Sequence, residues 1–362
     1  MAHVQKRTLK GTTSYRARIR LHDGRERAKS FARKADAERW LHETQAELNR
    51  GNIVDPSSGR VTVREYAETW RSMQVHRHST ASVTKSRLDR RILPTFGHRR
   101  LASILPSEIQ AWVKKLSVDY APSTVEATYR LLATIFRSAV ADRLIPSSPC
   151  IRIQLPRQDA GQVVPLSVEQ VVAVREHMPE RARAMVTVAA GVGLRRGEVL
   201  GLTVDRIDFL RRTITVDRQL VQTPGKGMQF GPPKTSASVR TVPAPVEVIQ
   251  RLAHHIELNS IEHPWGLVFT NSRRREWSRS RFSDIWRTAA DDAKLPEGTR
   301  FHDLRHHTAS LLIAAGCSVK VVQHQLGHAS ATETLDTYSH LWPNDDQRVR
   351  DAIDDAYMIG SG

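Results

Sequence analysis

Two segments rich in proline, glycine and small polar residues divide this chain of 362 residues into three parts. Residues 52–60 read NIVDPSSGR, and residues 145–158 read IPSSPCIRIQLPRQ, whose prolines cannot lie inside a helix. The length also allows two or three domains, at roughly 150 residues each. We therefore predict domains at residues 1–55, 61–148 and 164–342, followed by a tail at 343–362.

The first part is predicted to form a small sheet packed by one helix. Residues 14–21 alternate between apolar side chains and arginines, and Asp23-Gly24 indicates a tight turn into a second strand over residues 25–31. A helical repeat follows over residues 37–48. A two-stranded ribbon can enter a DNA major groove, whereas the alternative is a basic surface sheet. We favour the groove reader because three arginines share one face. The DNA-binding candidates in this part are Arg16, Arg18, Arg20, Arg25 and Arg27.

The second part is predicted to form a bundle of helices. Thr62 with Glu65, and Ser107 with Gln110, match the capping-box spacing that opens a helix. An apolar stripe over residues 129–140 is more typical of a packed core than of a binding face. Each basic side chain on the bundle is ordinary surface charge by itself, but together they suit a grip on DNA phosphates. These candidates are Lys85, Arg87, Arg90 and Arg91.

The third part mixes helices with a small sheet. Ser167 with Gln170 caps a predicted helix, and residues 181–190 read as another. Residues 207–242 contain β-rich runs broken by glycine and proline, and helices return from residue 245, with one strand-like run at 268–270. We therefore expect a multidomain α+β protein that is mostly helical: a small β-sheet plus helix, a helical bundle, and a mixed α/β domain.

The excess of positive charge indicates the class of partner. Lys and Arg number 55 against 38 Asp and Glu, a formal net charge of +17, and most of the excess lies in the first 160 residues. This distribution favours double-stranded DNA. Two cysteines cannot form a disulfide framework, the first ten residues lack an apolar signal region, and no apolar run is long enough to cross a bilayer. We expect a cytoplasmic protein with no membrane partner.

Four short motifs in the third part carry groups suited to phosphate chemistry. They are GLRRGEVLGL at 193–202, KT at 234–235, HDLRHH at 302–307 and LGHASATETLDTYSHL at 326–341. Arginine can bind a phosphodiester through two parallel hydrogen bonds, histidine can donate a hydrogen bond or move a proton, and a tyrosine phenol can attack phosphorus. If the motifs converge in the fold, they form a phosphate-binding cage with a nucleophile.

The motifs GLRRGE, HDLRH, and LGH followed ten residues later by TYSH resemble those of the tyrosine recombinase family, the phage and mobile-element integrases. The three-part organisation is similar to integrases of the lambda type. The resemblance implies an arm-type DNA-binding domain at 1–55, a SAM-like core-binding domain at 61–148 and a tyrosine-recombinase catalytic domain at 164–342.

The resemblance also implies which residues hold the scissile phosphate. Arg195 and Arg305 would bind its nonbridging oxygens and neutralise the charge that develops there. His328 would donate a further hydrogen bond to the phosphate. Glu198, one turn after Arg195 on the same helix face, would brace the site without reacting.

Three further residues would react or move protons. By the same resemblance, Tyr338 is the nucleophile, and its attack leaves a 3'-phosphotyrosine and a free 5'-hydroxyl, so that rejoining needs no cofactor, neither ATP nor a metal. His302 would assist proton transfer at the tyrosine. Lys234 would protonate the 5'-oxygen, with Lys226 as the competing loop lysine.

The implied function is site-specific recombination that integrates or excises a phage or mobile element. Strands would be exchanged pairwise through a Holliday junction in a homotetramer on DNA attachment sites, in the bacterial host cytoplasm and associated with the nucleoid. The resemblance also suggests a host DNA-bending factor and an excision factor as accessory partners. Two alternatives remain: a type IB topoisomerase that nicks and closes DNA, and a DNA-binding protein without catalysis.

The histidine content and the tail raise two further questions. A zinc site is disfavoured because no cysteine pair has ligand spacing and no HExxH helix occurs. The histidines that would have to supply it are His302, His306, His307, His324, His328 and His340. The acidic tail at 343–362 carries apolar residues at helical spacing and could pack in cis; the resemblance favours docking onto a neighbouring protomer.

Overall fold

The computed structural model describes residues 2–9, 12–20, 26–49, 61–157, 161–223, 225, 227–233, 235–259, 263–342 and 346–358. It divides into two compact units, at residues 1–159 and 160–362, and each is described by itself. Among the described helices, none combines the length and the apolar character needed to span a membrane. The predicted linker at 52–60 lies outside the described residues, as does Arg25.

The first unit begins with an antiparallel sheet in the order β1-β2-β3, followed by one helix. Its elements are β1 (Ala2–Leu9), β2 (Thr12–Arg20), β3 (Glu26–Phe31) and α1 (Lys34–Asn49). The alternation over 14–21 sets the packing, because Ala17 and Ile19 are buried while the arginines that alternate with them, Arg16, Arg18 and Arg20, point to the other face. The strands predicted at 14–21 and 25–31 are present as β2 and β3, whereas β1 was not foreseen.

The rest of the first unit is a helical bundle. Its helices are α2 (Val63–Ser72), α3 (His78–Arg87), α4 (Leu93–Phe96), α5 (Pro106–Asp119) and α6 (Pro122–Ala141), with a π-helical stretch, Leu88–Ile92, joining α3 to α4. The predicted stripe on α6 is core, with Leu132, Ile135 and Phe136 fully buried. Trp112 packs edge-on against Phe96 in the same core.

One of the two predicted caps in this bundle is confirmed and one is wrong. The backbone N–H of Thr62 donates to the Glu65 carboxylate at 2.8 Å, and the N–H of Glu65 donates to the Thr62 hydroxyl at 3.3 Å. Helix α5 instead begins at Pro106, and Glu108 accepts from the N–H of Leu105 at 2.9 Å. Proline fixes a helical φ at the first position, and the cap is Leu105 with Glu108, two residues before the predicted Ser107 with Gln110.

The proline-rich segment after α6 is irregular and packs on the bundle. Ile145 is buried in the helical core, and Cys150, Ile153 and Leu155 pack against it. The Gln110 side chain bonds both the N–H and the carbonyl of Gln154, at 2.8 and 3.0 Å. This part of the segment is therefore fixed to the first unit.

The second unit surrounds two small antiparallel sheets with helices. The strands are β4 (Ile207–Asp208), β5 (Thr213–Val216) and β8 (Arg240–Pro243) in one sheet, and β6 (Gln219–Thr223) and β7 (Gly227–Gly231) in the other. The helices are α7 (Val168–His177), α8 (Glu180–Val192), α9 (Arg196–Leu200), α10 (Val246–Asn259), α11 (Arg279–Asp292), α12 (Asp303–Ala314), α13 (Val319–Leu326), α14 (Ala331–Tyr338) and α15 (Asp346–Met358).

Helix α8 is the centre of this unit, because nearly every side of it is apolar and buried. It packs against α7, α10 and α12. The capping box of Ser167 with Gln170 is confirmed at the start of α7. The run at 268–270 forms no strand with any described residue: Val268 and Phe269 are fully buried, and an isolated bridge pairs the preceding Leu267 with Thr203.

Candidate active site

Two glycines with left-handed backbone bring the separate motifs together. Gly193 ends α8 at φ +76°, and a Cβ there would lie 2.7 Å from the Leu326 side chain. Gly327 ends α13 at φ +65°, and a Cβ there would lie 2.8 Å from the Arg240 guanidinium. Only glycine adopts this conformation without strain and allows such close approach. The backbone of GLRRGE at Gly193 therefore packs directly against Leu326 of the LGH motif, with no side chain between them.

Arg195 directly precedes α9, and its side chain is half-buried. Its guanidinium donates to Glu198 at 3.0 Å, to the Ser238 hydroxyl at 3.2 Å and to the carbonyl of Gly327 at 3.0 Å. Glu198 is three residues from Arg195, whereas Ser238 and Gly327 are 43 and 132 residues away. The guanidinium is thereby held in one orientation before any substrate binds.

Glu198 is buried between two cations. Its carboxylate accepts from Arg195 and also pairs with Arg240 at 3.1 Å, and the Glu198 and Arg240 side chains are 2% and 1% exposed. Burial raises the pKa of this carboxyl, but the two cations outweigh burial, so that the pKa lies below its ordinary value. The ionised carboxylate braces both arginines. Arg240 was not anticipated, because a single arginine in a short strand gives no signal of a role.

Arg305 lies in the first turn of α12 and is 1% exposed. One terminal nitrogen donates to the carbonyl of Gly193 at 2.8 Å, while Nη2 is buried and has no hydrogen-bond partner among the described residues. Burial and the nearby Arg195 both lower the pKa of this guanidinium. A buried donor without an acceptor is costly, and an anion placed there would remove the cost.

Tyr338 is the last residue of α14 and is 1% exposed. Burial raises the pKa of its phenol to about 12, although Arg305 and Arg195 act in the opposite direction. The phenol is therefore protonated at neutral pH, and an attack on phosphorus requires a proton acceptor beside it. The structure places a histidine there.

That histidine is His306. Its Nδ1 lies 2.7 Å from the Tyr338 hydroxyl oxygen, and its Nε2 lies 4.0 Å from a carboxylate oxygen of Asp303. Burial lowers the pKa of His306 and Asp303 partly restores it, which favours a neutral imidazole able to accept a proton. The sequence resemblance assigns this role to His302 instead. The signal that was missed is the helical spacing of four residues from His302, which puts both rings on one side of α12.

The other two predicted histidines lie around the same tyrosine. His328 is 6% exposed, with Nδ1 lying 2.8 Å from the Thr334 hydroxyl, and its ring is parallel to that of Tyr338 at 6.3 Å between centroids. His302 is exposed, and its ring meets His306 edge-on at 5.1 Å. Desolvation by the surrounding protein lowers the pKa of His302 to about 4, and His306 and then Arg305 act in the same direction. Desolvation, followed by the charge of Arg305, lowers the pKa of His328 to about 4. Both rings are neutral at pH 7.

The structure thus brings six sequence-predicted residues into one cluster with His306: Arg195, Glu198, His302, Arg305, His328 and Tyr338. Lys234 and Lys226 both lie outside the described residues. Lys234 is flanked by described residues, and the hydroxyl of Thr235 lies 3.0 Å from that of Ser238, which also contacts Arg195. The part of the chain that the structure describes holds no group of three His, Cys, Asp or Glu side chains arranged to bind a metal ion.

The predicted DNA-binding arginines of the first unit occupy two faces of its sheet. Arg16 and Arg18 lie opposite the buried residues of β2, and Arg18 pairs with Glu26 at 3.4 Å. Arg27 stands directly across from Ile19 and packs over the Trp40 ring, so it shares the face that α1 covers. Arg20 is exposed at the end of β2.

The candidates on the bundle also differ in environment. Lys85 pairs with Asp89, and Arg91 stacks over the Tyr120 ring at 4.5 Å. Arg87 and Arg90 form no ion pair with any described residue, and Arg90 is exposed. Arg90 is thus the most available cation of this set, whereas Arg91 is engaged within the bundle.

Comparison with known proteins decides the family. A profile described as "Phage integrase family" matches residues 165–344, and one described as "Phage integrase, N-terminal SAM-like domain" matches residues 62–117. The chain belongs to the phage integrase family. It is a tyrosine recombinase, an enzyme that breaks and rejoins DNA at specific sites.

Individual relatives agree with this family. The chain is 29% identical over 329 residues to the putative prophage phiRv2 integrase of Mycobacterium tuberculosis, covering 89% of this chain and 86% of that protein. It is 27% identical to a XerC-like tyrosine recombinase of Caldanaerobacter subterraneus, over 72% and 73% of the two chains. The Tn1549 transposon integrase, solved with transposon right end DNA, superposes with a TM-score of 0.70 at 26% identity, covering 80% of this recombinase and 98% of that chain.

Proposed function

We propose that this recombinase cleaves DNA through Tyr338 and forms a 3'-phosphotyrosine intermediate. The observation that carries the proposal is the contact of the Tyr338 hydroxyl with His306, in a cluster where Arg305 holds a buried, unpartnered N–H. A scissile phosphate would supply the acceptor that Arg305 lacks and the electrophile that Tyr338 attacks. Arg195 would bind the second nonbridging oxygen, and together the two guanidiniums would offset the charge of the five-coordinate transition state.

Proton transfer follows from the same contacts. As the phenol attacks, its proton would pass to Nδ1 of His306, and Asp303 would stabilise the imidazolium that forms. The sequence resemblance assigns this role to His302. In the structure His302 contacts the His306 ring, and we propose that it acts on the phosphate and not on the tyrosine. His328 would donate a hydrogen bond to a phosphate oxygen from Nε2, since Nδ1 is occupied by Thr334.

The departing 5'-oxygen needs an acid, and we assign this role to Lys234 in preference to Lys226. Thr235 and Ser238 connect the residues after Lys234 to Arg195, which supports a position close to the phosphate. Rejoining would run the same steps in reverse: the 5'-hydroxyl attacks the phosphotyrosine, and protonated His306 returns its proton to the phenolate.

Tyr338 is covered in this structure, so we propose that DNA binding exposes it. A side chain that is 1% exposed cannot meet a phosphodiester without movement of α14 or of its neighbours. In such a movement the phenol would leave the apolar side chains that cover it. The phosphate held by the arginines would then occupy the space beside the phenol. Cleavage would thus be confined to protein assembled on DNA.

The remaining assignments concern the DNA and the assembly. We propose that residues 1–55 bind arm-type sites, that residues 61–148 and 164–342 clasp the core site, and that a homotetramer exchanges strands in the bacterial cytoplasm to integrate or excise a phage or mobile element. The Tn1549 integrase is bound to transposon DNA in its structure, which supports a DNA partner here. A host DNA-bending factor and an excision factor remain part of this proposal.

The tail is assigned to a neighbouring protomer. Helix α15 carries Val349, Ile353 and Tyr357 at helical spacing, and they are 59%, 52% and 79% exposed. An apolar stripe left this exposed on an acidic helix is suited to packing against another surface. Tyr338 lies only eight residues before α15 begins. Docking of α15 in trans would therefore couple the position of Tyr338 to assembly of the protomers.

The decisive experiment is covalent trapping on DNA. Purified protein in EDTA is incubated with a library of duplexes that carry a nick beside candidate crossover sites, and adducts are separated on denaturing gels. We expect an adduct with wild type and with Tyr357→Phe, and none with Tyr338→Phe. Strand transfer to a second duplex then separates a recombinase from a topoisomerase. Tight binding without any adduct would support the catalytically inactive alternative and overturn the proposal.

A further inference from the structure

A cavity of about 720 Å³ lies beside the cluster, and of the residues given a catalytic role above only His302 is among its described lining. One wall is α11, the opposite wall is the loop over residues 295–301, and Arg196 closes one side. His302, a member of the catalytic cluster, lines the same cavity. We call this space the Arg196 cavity. Because His302 lines it, the Arg196 cavity lies directly next to the position proposed for the scissile phosphate.

Arg196 is the unusual residue of the cavity. Its side chain is half-buried and donates to the Ser283 hydroxyl on α11 at 3.0 Å, and among the described residues no carboxylate lies within ion-pair distance of it. Burial and the like charge of Arg279 lower the pKa of this guanidinium. A half-buried cation without a counter-ion destabilises the fold unless something else requires it there.

The neighbouring charges repeat this pattern. Arg279 and Arg300 also line the cavity and are exposed, and neither forms an ion pair with a described residue. Arg287 lines it too but is paired with Asp284 at 3.0 Å. The carboxylates on the lining, Asp291 and Glu297, are both exposed at the surface. Three arginines without acidic partners thus face one space, which favours an anion inside it.

We propose that the Arg196 cavity binds a backbone phosphate of the cleaved strand, one that neighbours the scissile phosphate. The inference rests on the proposed function for the position of the scissile phosphate. Arg196 is the principal ligand, and Arg279 and Arg300 act from either side. The recognised chemistry is a phosphate oxygen pair, for which the guanidinium fork is well shaped.

The chain geometry explains why two adjacent arginines serve two phosphates. Arg195 donates towards Ser238 and Gly327, whereas Arg196 donates towards Ser283 on α11, so their side chains leave the backbone in different directions. DNA presents successive phosphates along each strand, one for roughly every 3.4 Å of helix axis. A strand whose scissile phosphate is held by Arg195 must pass further phosphates nearby. A second grip at Arg196 would fix the direction of the strand as well as its position.

The test replaces single phosphates with neutral methylphosphonates. Duplexes containing the site selected by covalent trapping, or the duplex bound most tightly if none is trapped, carry one replacement each. Binding is measured with Tyr338→Phe protein, so that no chemistry is needed, in otherwise unaltered and Arg196→Gln forms. Arg211→Gln is the matched control, because that arginine is 85% exposed at the turn between β4 and β5.

We expect one replacement near the crossover to weaken binding about tenfold in the form that retains Arg196 and in the Arg211→Gln control, and to have little further effect in Arg196→Gln. The slope of log Kd against log salt should fall by about 1 in Arg196→Gln. This coupling is measured without cleavage, so it supports the inference even on a duplex that yields no adduct. Adduct formation by wild type tests the proposed function separately.

Free anions are the other source of the same chemistry. Pyrophosphate is therefore added to DNA-free protein, and its effect on melting temperature is compared between the forms with and without Arg196. If pyrophosphate stabilises only the form that retains Arg196 while no methylphosphonate position couples to Arg196, the cavity binds a free anion and the DNA assignment is overturned. Equal sensitivity of both proteins at every phosphate position, without a pyrophosphate effect, overturns it as well.

Discussion

The hydroxyl oxygen of Tyr338 lies 2.7 Å from Nδ1 of His306. Asp303 completes the series, because its carboxylate lies 4.0 Å from the other ring nitrogen. Carboxylate, imidazole and hydroxyl stand in the order in which hydrolases with a serine nucleophile arrange them, here with a phenol at the end. Because the phenol pKa is raised to about 12, the imidazole has to remove a more tightly held proton than it would from an exposed tyrosine.

His306→Ala should reduce the rate of adduct formation by about 10²- to 10⁴-fold, the usual effect of removing a positioned proton acceptor. DNA affinity should change little, since the ring faces Tyr338. The rate is measured on the nicked duplex as a function of pH. With wild type, the acid limb should lie below the ordinary imidazole pKa of about 6.5, because burial lowers the pKa of His306 and only neutral imidazole accepts the proton.

The matched control for this experiment is His302→Ala, which removes the neighbouring ring and leaves the contact with Tyr338 in place. Added imidazole should partly restore His306→Ala, because the small base can occupy the vacated space, and should not restore His302→Ala. Restoration of His302→Ala alone would return the proton-acceptor role to the residue that the sequence resemblance indicates.

Arg305→Lys should lower adduct formation by about 10²- to 10³-fold, the range found when one transition-state donor is lost. Lysine keeps the positive charge but cannot bond Gly193 and a phosphate oxygen through a planar fork. The Kd for the same duplex, measured by fluorescence anisotropy, should stay within about threefold, since phosphate contacts are numerous. A normal cleavage rate in this variant would show that charge alone suffices.

The sequence could predict the cluster because its members lie in short, recognisable motifs. Through the family resemblance, GLRRGE, HDLRH and the LGH to TYSH interval were enough to select Arg195, Arg305, His328 and Tyr338, and the mostly helical α+β class followed from periodicity and turn residues. The two left-handed glycines were inside those motifs, but their close approach to Leu326 and Arg240 depends on tertiary packing. Periodicity gives faces of helices, and the distance between two such faces has to come from the fold.

Several features therefore lay beyond the sequence. Strand β1 was missed because residues 2–9 mix basic and apolar side chains, and only pairing with β2 makes them a strand. Arg240 was missed because its importance comes from a partner, Glu198, 42 positions away. The sequence gives Arg27 and Arg16 as equivalent DNA-binding candidates, but the strand register puts Arg27 across from buried Ile19, on the opposite face of the sheet from Arg16. In each case a contact distant in sequence decided the outcome.

Glu198→Gln should destabilise the second unit by about 3–5 kcal/mol, because it leaves buried Arg240 without its counter-charge. Hydrogen exchange of α8 peptides measures the opening of this unit alone. The pH dependence has a definite sign. The folded-state pKa of Glu198 lies below its ordinary value of 4.5, so its stabilisation is present above pH 4.5 and is lost as pH falls through the lower folded value. The variant should lack that acid-dependent loss.

Glu247→Gln is the control for Glu198→Gln. Glu247 pairs with Arg251 on the same unit, but the two side chains are 58% and 43% exposed. Removal of an exposed pair at this helical spacing should cost at most about 0.5 kcal/mol. If both variants lose the same protection, burial of Glu198 has no special effect and the proposed bracing of Arg195 loses its support.

Gly193→Ala and Gly316→Ala together separate backbone strain from close packing. Both glycines have φ +76°, so alanine is strained at either position, by about 1 kcal/mol. A Cβ at Gly316 meets nothing within 4 Å, whereas one at Gly193 lies 2.7 Å from Leu326 and 3.3 Å from Thr308. Gly193→Ala should therefore destabilise α8 by at least about 1–2 kcal/mol more than Gly316→Ala, as measured by hydrogen exchange, which is the range for overpacking.

The two variants should also differ in cleavage rate. Because the carbonyl of Gly193 accepts a hydrogen bond from Arg305, Gly193→Ala should slow adduct formation, while Gly316→Ala should not. Equal losses of stability and rate in the two variants would mean that α13 can move away from Gly193 without disturbing Arg305.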